Sequence, residues 1–132
     1  MTDQNVNVEL EFHGDPARPI KTLSAGEATD ALVALEGTHD VTMTISDSGR
    51  NERLLVAVDG SCAFLGLERS DGLLQFESGD PGQKHVTKPF TIGGQESEIE
   101  TQYLVDIEMA AAVVRDWLDG VDPSSHGAWE LR

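Results

Sequence analysis

Cysteine is almost missing from this chain: Cys62 stands alone among 132 residues. A single thiol excludes an internal disulfide framework and fits a reducing compartment. Cations are scarce too. Nine Lys and Arg face 24 Asp and Glu, a formal net charge of −15, whereas direct binding to nucleic acid phosphates or to anionic membranes needs clustered cations. No apolar run approaches the roughly 20 residues of a membrane span. The opening MTDQNVNVELEF has no basic region followed by an apolar stretch, so no secretory leader and a cytoplasmic location are expected. Repeats, low-complexity tracts and linkers are also missing, which predicts one domain over 1–132. What remains is 39% hydrophobic, enough for a core. Area scaling gives roughly 6,800 Å² exposed when folded against roughly 21,000 Å² unfolded.

Alternation of apolar and polar residues in VNVELEF, 6–12, predicts a strand. His13-Gly14-Asp15-Pro16 breaks it, and Pro19 extends the loop. Ser24 and Glu27 have capping-box spacing, and Ala28, Ala31, Leu32 and Leu35 form a helical stripe ending at Gly37. This predicts a helix over 24–36. Strands follow at 41–46, 54–58, 61–68 and 73–76, with 47–51 as a hairpin loop and Asp59-Gly60 as a type I′ turn signal. Residues 78–82 form a loop, and 85–92 can be a further strand at an edge or a bulge because of Pro89. The short connections predict an antiparallel meander. Asp106 is placed to cap a helix over 107–119, whose apolar face is Ile107, Ala110, Ala111, Val114, Trp117 and Leu118. Gly120 ends it, and Trp129 lies in a tail that can return as a last strand. The fold class is α+β: an antiparallel sheet of five to six strands with two helices packed on one face.

Catalytic patterns are not visible. His13, His39, His85 and His126 are far apart in or beside loops, Cys62 has no CxxC partner, and HExxH and HxE with PCxxC are missing. Ser61-Cys62 has no nucleophile elbow around it, so Cys62 reads as a small buried hydrophobe. Gly93-Gly94 lacks phosphate-loop spacing and precedes Glu96 and Glu98, which would repel phosphate. No catalytic residue, metal or cofactor is expected.

The acidic side chains carry the functional reading. Glu96, Glu98 and Glu100 would share one face of an extended segment, roughly 6.5–7 Å apart. Such a strip is either a solvated edge or faces a basic partner. Asp71 and Asp80, in the loops, would add to the negative surface, and Trp129 is a candidate apolar anchor, whereas Trp117 falls on the core face of its helix.

The run from Ile92 through GGQESEIETQYLVDIEMAAAVVRDWLDGVDPSSHGAWE resembles the Imm-one immunity proteins of bacterial polymorphic toxin systems. The matching pattern is Gly93-Gly94, a polar stretch, Leu104-Val105, an Ala-rich helix, Trp117, Gly120, Pro123 and Trp129. It covers about 40 residues, with a looser likeness in CAFLGLERSDGLLQF, and it departs at Glu100, where the pattern commonly has proline. The resemblance implies a cytoplasmic antidote that neutralises a cognate secreted toxin by occluding its active site or substrate groove; the sequence does not fix the oligomeric state, and a monomer is the expectation. The toxin would be basic and act on nucleic acid, as a deaminase does. The negative charge suits such a partner independently. Two other readings compete: a small ligand-binding module or enzyme with a pocket between sheet and helices, and an anti-regulator that mimics DNA charge.

Overall fold

A computed structural model describes residues 5–12, 21–46, 52–69, 72–77, 87–92, 95–121 and 128–131. Period-two alternation produces β1 (Asn5–Phe12), β3 (Val41–Ser46), β4 (Glu52–Asp59), β5 (Cys62–Arg69) and β6 (Gly72–Glu77). Their odd or even positions bury one shared face: Val6 and Val8, then Val41, Met43 and Ile45, Leu54, Val56 and Val58, Ala63, Leu65 and Leu67, and Phe76. Three short strands complete the sheet. β2 (Lys21–Ser24) pairs with β1, β9 (Leu104–Asp106) with β5, and β10 (Ala128–Leu131) with β6. The eight-stranded antiparallel sheet runs β10-β6-β5-β4-β3-β1-β2, with β9 beside β5. β5 divides one edge between two partners: Cys62–Phe64 pair with β9, and Gly66–Arg69 pair with β6.

Two antiparallel helices cover the shared face. α1 (Ala25–Val33) starts at the expected capping box: the Ser24 Oγ accepts from the Glu27 amide at 3.2 Å, and Glu27 Oε1 accepts from the Ser24 amide at 3.0 Å. α2 (Ile107–Leu118) starts at Asp106, whose carboxylate accepts from the Met109 amide at 2.7 Å. Both helices sink their apolar stripes into one cluster with the sheet, α1 through Ala28 and Leu32, α2 through Ile107, Ala110, Val114, Trp117 and Leu118. Full burial of a leucine, isoleucine or valine side chain among these contributes about 1.5–3 kcal/mol, and of an alanine methyl less. The α+β class and the placement of both helices on one face are as the sequence predicts.

Several local expectations need correction. α1 ends at Val33 rather than at 36; residues 34–37 continue as tighter turns, with the Leu35 and Glu36 amides reaching only three residues back. The β4–β5 turn is Gly60-Ser61, since Asp59 pairs with Cys62, and only Gly60 has positive φ (66°). One positive φ at the first position is the pattern of a type II′ rather than a type I′ turn. The meander holds from β3 to β6 and then stops: β10 takes the free edge of β6, and β7 (Thr87–Ile92) pairs instead with β8 (Gln95–Glu100) in a separate two-stranded hairpin. β2 was not expected after Pro19. The loops predicted at 13–19, 47–51 and 78–82 lie outside the described residues, as does Gly93-Gly94.

The β7–β8 hairpin packs on the other face of the sheet. Its Phe90 and Ile99, with Tyr103 from a 3-10 turn over Thr101–Tyr103, form a second cluster with Ala57 and Phe64. That cover explains why β4 and β5 read as continuous apolar runs: at this point both faces of the sheet are buried. Beside this cluster, Gly66 is a close-packed position, where a Cβ would meet Leu73 Cδ1 at 3.2 Å and Phe64 Cε1 at 3.5 Å.

Candidate partner-binding surface

The hairpin decides where the acidic residues point. Phe90 and Ile99 face the sheet and are almost fully buried, so period two turns Glu96, Glu98 and Glu100 outward together. Glu96 and Glu98 are exposed, and Glu100 is half-buried. Across the ladder these three face Thr91, Pro89 and Thr87, none of which is a cation. The hairpin's described cation, Lys88, alternates to the other side, and its Nζ lies 4.0 Å from Asp59 Oδ2. The strip is therefore uncompensated by its own partner strand. In water, two such charges 7 Å apart repel by about 0.6 kcal/mol before salt screening, a small cost for a fold to carry. Pro89 sits in an edge strand, as predicted, where its missing N–H costs no ladder bond that the sheet needs.

Other candidates fall elsewhere. Trp129 is half-buried beside Phe76, with ring centroids 5.2 Å apart and planes inclined by 69°. It packs against the core on the helix-bearing face, so the structure does not bring it together with the glutamate strip. Its indole nitrogen is buried without a hydrogen-bond partner among the described residues. Asp71 and Asp80 lie outside the described residues, as do His13, His85 and His126. Trp117 is 2% exposed, and its indole N–H donates to Glu52 Oε1 at 2.7 Å; the second oxygen of Glu52 accepts from Arg69 Nε at 3.0 Å. The sequence reading placed Trp117 in the core but missed Glu52 as its partner, because 65 residues separate them.

His39 is exposed, and its Nδ1 lies 2.6 Å from Asp59 Oδ1, tying the segment after α1 to the β4–β5 turn. The same two segments share backbone bonds: the Gly37 amide donates to the Gly60 carbonyl and the Gly60 amide to the Thr38 carbonyl. Cys62 is a half-buried free thiol at the margin of the second cluster, rather than a fully buried one. Among the described residues no three His, Cys, Asp or Glu side chains converge as a metal site, and no helix is long and apolar enough to cross a membrane.

Two grooves lie on the outer side of the helix pair, not between helices and sheet. One, of about 420 Å³, is lined by Val33, Glu36, Ile107, Glu108, Ala111, Ala112 and Arg115. The other, of about 300 Å³, lies between Gly26, Thr29, Asp30, Arg115 and Asp119. Comparison with family models, with curated proteins and with solved structures returns no match.

Proposed function

We propose that this chain is an immunity protein that binds a cognate, basic, nucleic acid-acting toxin and occludes its active site or substrate groove. The observation that carries the reading is the outward strip of Glu96, Glu98 and Glu100 on a hairpin strand that offers it no countercharge. A net charge of −15 on an ordinary folded scaffold supports it further, as does the order of Gly93-Gly94, Leu104-Val105, Trp117, Gly120, Pro123 and Trp129 along the C-terminal third.

The mechanism needs no chemistry from the inhibitor. An enzyme that acts on nucleic acid carries cations for phosphates, and a surface of opposite sign is steered into the same groove. Such steering raises the association rate and depends strongly on ionic strength. Sheet and helices hold the strip on a rigid support, so little ordering entropy is lost on docking. Once seated, the protein excludes substrate by volume and by charge.

The test is growth rescue. The C-terminal domain of the protein encoded beside this chain is expressed with and without it, and co-expression is expected to restore growth. Persisting toxicity with this protein soluble and present would overturn the reading. The triple variant Glu96→Lys, Glu98→Lys, Glu100→Lys is expected to slow association strongly at low salt and little at high salt. An unchanged rate at low salt would remove the strip from the interface.

A further inference from the structure

The helix layer carries a surface that the glutamate strip does not explain. Among the described residues three large apolar side chains stand exposed, Val33 at 47%, Met109 at 37% and Val121 at 44%, and of these Val33 lines a groove. All three belong to α1, to α2 or to the residues just after α2. Val33 has slipped off the α1 core stripe, which runs through Ala28, Leu32 and Leu35, and forms one wall of the larger groove. The opposite wall is a row on α2 at helical spacing, Glu108, Ala112, Arg115 and Asp119, with Ala111 beside it. Arg115 lines both grooves, so the two are neighbours along the outer side of the antiparallel pair, and together they are the furrow of α1 and α2.

The floor of the larger groove is apolar and low, whereas the smaller one is lined by Thr29, Asp30, Arg115 and Asp119 around Gly26. Ala111, Ala112 and Gly26 leave room for another backbone to approach, as helix packing at 8–10 Å requires. The rims of the furrow are acidic: Asp30 and Glu36 on the α1 side, Glu108 and Asp119 on the α2 side, against Arg115, the one cation among the described lining residues. With nine and twelve residues, the two helices that border it are about 13–18 Å long, or about three helical turns. The apolar floor of the larger groove and the acidic rims of both define what would fill the furrow.

We infer that the furrow between α1 and α2 docks a short helical segment of a protein partner, with an apolar ridge flanked by Lys or Arg. The ridge covers Val33, Ala111 and Ala112, and the flanking cations meet Asp30, Glu36, Glu108 and Asp119. Because the furrow lies on the opposite side of the sheet from β8, this contact is separate from the proposed toxin-facing strip. It can therefore fail while growth rescue succeeds, or hold while rescue fails.

The probe is a synthetic amphipathic peptide of leucine and lysine, about four turns long, added to the isotope-labelled full chain and followed by amide chemical shifts. Saturable shifts are expected at residues 26–36 and 108–119, with salt weakening the binding without abolishing it. Val33→Lys removes apolar contact and adds a repelling charge at an exposed position, and is expected to weaken binding roughly tenfold. A peptide of the same composition with its leucines scrambled out of helical spacing should bind more weakly by a similar factor. Shifts centred on residues 95–100, shifts spread evenly over the acidic surface, no shifts, or equal binding by the scrambled peptide or by Val33→Lys would each overturn the inference.

Discussion

At the scale of single side chains, Ser24 and Asp106 cap the two helix starts, and Glu52 ties Trp117 of α2 to the sheet. The backbone amide of Ser24, and then its hydroxyl, hold the carboxyl of Glu27 below the usual carboxylate range. A carboxyl depressed in the folded state stabilises fully above its unfolded value, and that contribution is lost as pH falls through the folded value. The α1 cap is therefore expected to weaken only in acid, below the ordinary glutamate range. Ser24→Ala is expected to cost about 1 kcal/mol in chemical denaturation, and to move the Glu27 midpoint up toward the free value in an NMR titration. Trp117→Phe keeps the ring but deletes the N–H that reaches Glu52. A hydrogen bond to a charged group is worth about 1.5–3 kcal/mol, so a loss of that size is expected in urea, with α2 still helical by circular dichroism.

The decisive element is the β7–β8 hairpin. Two strands alone are marginal in water, and this pair is held by Phe90 and Ile99 seated on Ala57, Phe64 and Tyr103. Phe90→Ala is expected to cost about 3–5 kcal/mol. If the hairpin opens as a unit, amide exchange should speed most at residues 87–92 and 95–100, with the amides of β3 to β5 affected least. That element was half legible in advance. Pro89 marked an edge and the alternation of Glu96, Glu98 and Glu100 marked one face, but the strand order beyond β6 departs from a continued meander. Sequential adjacency made β7 the natural neighbour of β6, and the sequence has no local signal that the tail would claim that edge. The continuous apolar runs in β4 and β5 were the available clue to a second cover, since a strand wet on one face alternates.

At the scale of the whole molecule, charge is the dominant property. Fifteen excess negative charges repel one another in the compact state, so stability should rise with ionic strength. Between about 0.01 M and 0.15 M salt the Debye length shortens from about 30 Å to about 8 Å. The melting temperature is expected to climb across that range, and an unchanged value would mean that the acidic groups are too widely spread to repel. The glutamate strip of β8 and the acid-rimmed furrow of α1 and α2 occupy opposite sides of the sheet. Salt-dependent binding by itself would therefore not distinguish them; position-specific variants do.

Composition and periodicity were sufficient for the fold class, both helix starts, the strands from β3 to β6 and the outward alignment of three glutamates, because each depends on residues within a few positions of one another. Tertiary structure alone decided that β5 splits one edge between β6 and β9, that Trp117 meets Glu52, that Trp129 packs beside Phe76 away from the strip, and that a furrow opens between the helices. Those outcomes depend on contacts between distant segments, whose pairing is chosen by shape and burial over the whole chain and leaves no local pattern to read.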